Sequence, residues 1–302
     1  MPLFLRYAGV GLGLALVLMF VWKDHGLPAR FTDLNQEQAV RDSNCMVDYG
    51  RSAPDLSASC YGASDPAPAV VLWGDSHSAA LAPALRAEVE SRGDHFIEFT
   101  KSSCLPLVGV AKYVPQHPSV VEECVEFNRI VMQTILADSR IRTVILAGRW
   151  ADPFLDGNVE PLLTVSLARA HRRPSPSDEA GLFIDALSKN IAALEDAGKH
   201  VVLVNDVPNF DFDPLVSERA AHIPVRRMIA SWMAQGKATP GLAQASFIDA
   251  AARSDAALET ISGRFQNVEL INLKPMLCDG GGLCAKRFPR SETAVERCGA
   301  RS

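Results

Sequence analysis

Ser76 stands in the run Leu72-Trp73-Gly74-Asp75-Ser76-His77, directly after an apolar stretch and directly before a helical one. Residues 69–73, Ala-Val-Val-Leu-Trp, have the composition of a strand buried on both faces, and Gly74 ends it. Over 78–92 the spacing turns helical, with Ala79, Leu81, Ala82, Leu85 and Val89 along one side. A serine at that junction lies at the carboxyl end of a strand and the N-terminus of a helix, where ligands gather in open α/β sheets. The N–H groups and dipole of the helix start favour an alkoxide there. They also favour the oxyanion that forms when a serine oxygen attacks an acyl carbon. Gly74 permits the tight turn and close substrate approach. A Gly-Asp-Ser tripeptide alone is a common turn, and Asp or Ser before a helix is often only a cap. The strand before it and the helix after it are what point to chemistry.

The elements that position Ser76 recur along the chain. Strands are expected over 95–100, 143–148, 200–205 and 268–273, alternating with helices over 120–137, 179–197 and 216–233. Asp178 is expected to cap the 179–197 helix and Gly198 to close it. This alternation predicts an α/β domain, a parallel sheet with helices on both faces, running from about residue 69. Residues 23–68 are polar and broken by prolines, which reads as a tether. Residues 153–176, ending in Arg172-Arg173-Pro174-Ser175-Pro176, read as a surface excursion.

A 302-residue chain with 48% hydrophobic residues can bury a full core, and a net charge of -5 with dispersed cations offers no basic stripe for a nucleic-acid partner. Residues 3–22, LFLRYAGVGLGLALVLMFVW, carry Arg6 as their only charge. At about 1.5 Å per residue they match a bilayer core of about 30 Å. This predicts a single transmembrane helix, with Trp22 and Lys23 at the far interface; a cleaved signal peptide competes, but no Ala-x-Ala site follows. Seven cysteines fall into local groups, Cys45 with Cys60, Cys104 with Cys124 and Cys278 with Cys284, leaving Cys298 over. None has Cys-x-x-Cys spacing. Disulfides in an oxidising compartment account for them better than unpaired core thiols, which places the domain outside the cytoplasm. No His/Asp/Glu cluster has ligand spacing, so neither a metal nor another cofactor is expected.

Residues 72–85, LWGDSHSAALAPAL, resemble the first block of the SGNH (GDSL-type) esterase and acyltransferase superfamily. More narrowly they resemble the extracytoplasmic SGNH domain at the C-terminus of acyltransferase-3 membrane proteins, which O-acylate cell-surface polysaccharides. Ser103-Cys104-Leu105-Pro106 with Cys124, Leu146-Ala147-Gly148-Arg149-Trp150, Val201 to Val204 with Val207-Pro208, and Leu277-Cys278 with Cys284 extend the resemblance over about 45–284. It implies a three-layer, flavodoxin-like fold over 69–284, preceded by the 3–22 membrane helix and the 23–68 linker and followed by an atypical 285–302 tail. It implies Ser76 as nucleophile with its own N–H in the oxyanion hole, and Gly109 as the second-block donor. Gly148-Arg149-Trp150 occupies the place of the third block's Gly-x-Asn-Asp, where Arg149 either donates to the oxyanion or packs.

The resemblance breaks at the general base. The family supplies it from a late Asp-x-x-His, and Ala285 to Ser302 contains neither residue. His77 adjoins the nucleophile, but adjacent side chains at a helix start usually diverge. His222 falls in an expected helix as a solvated histidine. The missing motif, the leftover Cys298 and the basic ending together fit a reading frame shifted or cut after about Lys286. The single apolar helix fits either a fragment of a many-helix parent or a single-anchor protein. The expected partners are an acyl donor, a cell-surface glycan acceptor, the inner membrane through 3–22 and a separate acyltransferase membrane domain. Transfer to a glycan hydroxyl leads. A carbohydrate esterase and a catalytically inactive envelope-binding module are the alternatives.

Overall fold

In a computed structural model the chain is described over residues 45–62, 66–154, 160–207 and 249–277, with secondary structure alone at a few further positions. Six parallel strands form the central sheet: β1 (Met46–Val47), β2 (Ala69–Gly74), β3 (His95–Lys101), β5 (Ile141–Ala147), β7 (His200–Val204) and β8 (Val268–Ile271). Their spatial order is β1-β3-β2-β5-β7-β8. The central strands read as unbroken apolar runs because both faces are covered. Val71 and Trp73 of β2, Val144 and Leu146 of β5, and Val201 and Leu203 of β7 point into one core. Leu72, Ile145, Ala147, Val202 and Val204 point into the other.

Helix α1 (Ser76–Ser91) covers the second face through Ala82 and Val89. The first face is covered by α2 (Val120–Ala137), α4 (Pro176–Asp196) and α5 (Asp249–Ser262). On α2, Phe127, Val131 and Ile135 recur every four residues and are wholly buried, so they form its packing face. The expected α/β architecture with helices on both faces is present.

Three local readings change. Ser175, not Asp178, caps α4: its hydroxyl accepts from the Asp178 N–H while the Asp178 carboxylate accepts from the Ser175 N–H, a reciprocal capping box with Pro176 at the first helical position. The 153–176 stretch is partly interior. A 3₁₀ turn (Asp152–Phe154) is buried, and β6 (Leu162–Thr164) pairs antiparallel with β4 (Val110–Lys112). Leu162 and Leu163 fill core space there, Leu162 N–H donates to the buried Glu179 carboxylate, and a short helix α3 (Val165–Arg169) follows. Arg169 to Arg173, with Ser175 and Pro176, are exposed as expected. The segment read as a tether also enters the fold, because Met46 and Val47 pair with Thr100 and Lys101 at the sheet edge.

The disulfides Cys45–Cys60 and Cys104–Cys124 are present. The Cys278–Cys284 pairing, the 216–233 helix and, apart from the helical and exposed Gly13, Ala15, Leu16 and Met19, the 3–22 span lie outside the described residues. Among the described residues no helix is long and apolar enough to cross a membrane.

Candidate active site

Register brings the site together. Gly74 sits opposite Ala147 and Leu146 opposite Leu203, so β2, β5 and β7 end side by side. Their next residues, Asp75-Ser76, Gly148-Arg149 and Asn205-Asp206, therefore converge at the carboxyl edge of the sheet. A cleft of about 250 Å³ lies there, lined by Ser76, His77, Ala80, Leu81, Ala147, Gly148, Asn205, Asp206, Val207 and Leu273.

Ser76 is the first residue of α1 and is exposed to this cleft. Its N–H is free of any hydrogen bond to the described residues, as expected of a first-turn donor. The Asp75 cap holds the turn from beneath. One carboxylate oxygen accepts the His77 N–H at 2.8 Å and the other the Arg149 N–H at 2.9 Å, tying the helix start to the strand beside it. Burial pushes the Asp75 carboxyl above the usual carboxylate range, opposed by His77 and by the two N–H donors. Gly74 and Gly148 leave room for this packing. A methyl on Gly74 would lie 2.0 Å from the Ala147 carbonyl oxygen and 1.9 Å from Ser78 Oγ.

His77 does diverge from Ser76, and in a useful direction. Its Nδ1 lies 2.9 Å from the Asp206 carboxylate, whose side chain is 6% exposed against 34% for the imidazole. Burial pulls the His77 imidazolium down, but the hydrogen bond and charge of Asp206, with the charge of Asp75, outweigh it and raise its pKa above 6.5. With Nδ1 occupied, Nε2 is the nitrogen left for proton transfer, and it has no partner among the described residues. Of the other described histidines, His95 binds the Tyr61 carbonyl, His117 stacks on Tyr49, and His171 and His200 are exposed. None of them lines the cleft. His222 lies outside the described residues.

The other two expected site residues are placed differently. Gly109 is exposed at a φ of 85° just before β4 and does not line the cleft. The loop before it is firmly held: Asn128 donates to the Leu105 and Leu107 carbonyls, and Asn190 bonds Pro106 and Val108. The Arg149 guanidinium pairs with Asp152 at 3.1 Å and is half exposed, while Trp150 is buried with its indole N–H on the Val204 carbonyl. Arg149 thus contributes a main-chain donor to Asp75, and its charge lowers the pKa of His77. Asn205 and Asp206 were missed in the sequence. The signal was there in their position, immediately past a β7 that ends beside the Ser76 strand.

The family described as SGNH domain (fused to AT3 domains) matches residues 44–290. Among solved structures, the periplasmic domain of a lipopolysaccharide acetyltransferase from Salmonella ser. Paratyphi A is 17% identical with a TM-score of 0.54, covering 87% of each chain. At that identity the likeness establishes the fold alone. A Streptococcus pneumoniae protein provisionally described as a platelet activating factor is 10% identical with a TM-score of 0.41, covering 92% of this chain and 88% of its own; no argument rests on it. No curated protein matches the sequence.

Proposed function

This chain belongs to the family of SGNH domains fused to AT3 domains, and from that membership we propose that it transfers an acyl group, most simply acetyl, to a hydroxyl of an envelope polysaccharide through an acyl-enzyme on Ser76. The observation that carries the reading is the convergence of an exposed serine, a free first-turn N–H and an aspartate-anchored histidine in one cleft. Extracytoplasmic placement and membrane attachment belong to the same proposal and are supported by the two disulfides and the apolar 3–22 segment.

Ser76 Oγ attacks the carbonyl carbon of an ester or thioester donor while His77 Nε2 takes its proton. The oxyanion is met by the Ser76 N–H and the positive end of α1. Collapse breaks the bond to the leaving group, which departs with the proton from His77, now a general acid. An acceptor hydroxyl then attacks the acyl carbon, giving its proton to His77, which passes it to Ser76 Oγ as the acyl–Ser76 bond breaks. Asp206 holds the imidazole in the tautomer that leaves Nε2 as acceptor and stabilises the imidazolium. In this reading the pair takes over the role the family gives to a late Asp-x-x-His, which residues 285–302 do not contain.

Incubation with p-nitrophenyl acetate tests this. The unmodified protein should release a burst of p-nitrophenol with an acetyl adduct on the Ser76 peptide, and Ser76→Ala should lose the burst and hydrolyse about 10³-fold more slowly or worse. Equal, slow hydrolysis by both proteins sinks the catalytic reading and leaves an envelope-binding module.

A further inference from the structure

Two side-chain oxygens at the end of β7 have no donor among the described residues. Asn205 is 3% exposed; its Nδ2 faces Asn272 Oδ1 at 3.5 Å, and its own Oδ1 is buried without a partner. The amide cannot simply be turned over, because Asn272 Oδ1 already accepts the Lys274 N–H and would then face a second acceptor. Asp206 is 7% exposed. Its Oδ1 accepts from His77 Nδ1 and the Val207 N–H, and its Oδ2 is buried without a partner. An unmet buried acceptor costs about 1–3 kcal/mol, and such groups are rare enough to require a reason. Both residues line the Ser76 cleft, and among the described residues the wall away from Ser76 and His77, at Ala80, Leu81, Ala147, Gly148, Val207 and Leu273, has no side chain that can donate. Donors must arrive with whatever enters.

We propose that Asn205 Oδ1 and Asp206 Oδ2 form a hydroxyl-recognition subsite for the acyl acceptor, taking hydrogen bonds from two hydroxyls of a polyhydroxylated molecule of the sugar class while a third hydroxyl is presented to the acyl carbon. This rests on the transfer reading above and goes further, since it names the atoms that select the acceptor. A pair of unmet acceptors favours ligands rich in O–H groups. Buried and unpaired, it discriminates strongly against an analogue lacking one of them. A monohydric alcohol offers its single hydroxyl to the reaction and nothing to the wall. The cleft is smaller than the roughly 300–1,000 Å³ of drug-sized sites, which suits an acyl group with one sugar ring rather than a long oligosaccharide.

The test removes the nucleophile so that binding is read without chemistry. The full-length Ser76→Ala protein in detergent is titrated with methyl glucopyranoside and, separately, with n-butanol by ligand-observed NMR. Saturable glucoside binding at least tenfold tighter than butanol is expected. Adding Asn205→Leu, which keeps side-chain size but removes the acceptor, should weaken the glucoside tenfold or more. Adding Asp206→Asn, which puts an amide donor at one acceptor position, should do the same and stands in if the leucine variant does not fold. No glucoside binding, equal affinity for the two probes, or unchanged affinity in a folded variant overturns the subsite. Failure of Ser76 acylation with intact glucoside binding instead refutes the transfer reading alone.

Discussion

At the scale of single residues, the site turns on Asp206. Ser76 was legible because its surroundings are local: an apolar run, a glycine and a helical stripe within 20 residues of sequence. Asp206 was not, because it reaches His77 across a sequence separation of 129, and only the order β2-β5-β7 makes the two neighbours. The rule that adjacent side chains diverge is obeyed, since His77 turns from Ser76 toward a carboxylate in the same cleft. Asp206→Asn should lower the His77 pKa, because the carboxylate is what holds it up. As the neutral imidazole is the base, the acid limb of the acylation rate should move to lower pH while the plateau falls by roughly 10²–10⁴-fold. The stability effect has the opposite sense to a carboxylate's. A raised histidine pKa stabilises below about 6.5 and loses that contribution as pH rises through the folded value, so Asp206→Asn should cost more stability at about pH 5.5 than at about pH 8.5. An unmoved acid limb would remove His77 from the mechanism.

At the scale of elements, the long strands and helices were readable because each has a period matched to its burial. The short pieces were not. A two-residue edge strand at Met46–Val47 and the three-residue β6 are too brief for any period, and their pairing is set by what lies beside them in space. Lys112 shows how: its ammonium is buried between Asp152 and Glu160 at 2.8 Å each, which draws the supposed surface stretch inward. The two glycines at the strand ends differ in the same physical terms. An added methyl at Gly74 meets backbone, the Ala147 carbonyl, so the sheet itself would have to open. At Gly148 it meets Leu105 Cδ2 at 2.7 Å, the movable tip of a side chain. Gly74→Ala should therefore cost about 3 kcal/mol or more and misplace Ser76, whereas Gly148→Ala should cost about 1 kcal/mol. Urea unfolding of the two variants distinguishes them, and equal midpoints would contradict the registration of β2 against β5.

At the scale of the whole molecule, stability is distributed between the sheet core and two covalent ties, and the ties are not equivalent. Cys45–Cys60 and Cys104–Cys124 close loops of 15 and 20 residues, each worth about 3 kcal/mol by loop closure. Against a typical margin of about 5–15 kcal/mol, losing both would leave little. Cys45–Cys60 staples the edge strand β1 and is itself buried, but outside the larger core cluster. Cys104–Cys124 lies wholly buried in the larger core, and Asn128, which holds the Leu105–Leu107 loop, also touches Cys124 Sγ at 3.5 Å. Replacing that pair by alanine removes the tie, leaves a void and loosens the Asn128 network together. Cys104→Ala/Cys124→Ala should thus lower Tm by more than the roughly 6–12 °C that loop closure alone implies, and Cys45→Ala/Cys60→Ala by no more than that. The core pair should also resist reductant longer, since no thiolate reaches it without opening α2. Thermal melts of both double variants, with thiol titration of the native protein over time, decide the point. Equal melting losses, or simultaneous release of all four thiols, would show that the Cys104–Cys124 tie is no more central to the fold than the one at its edge.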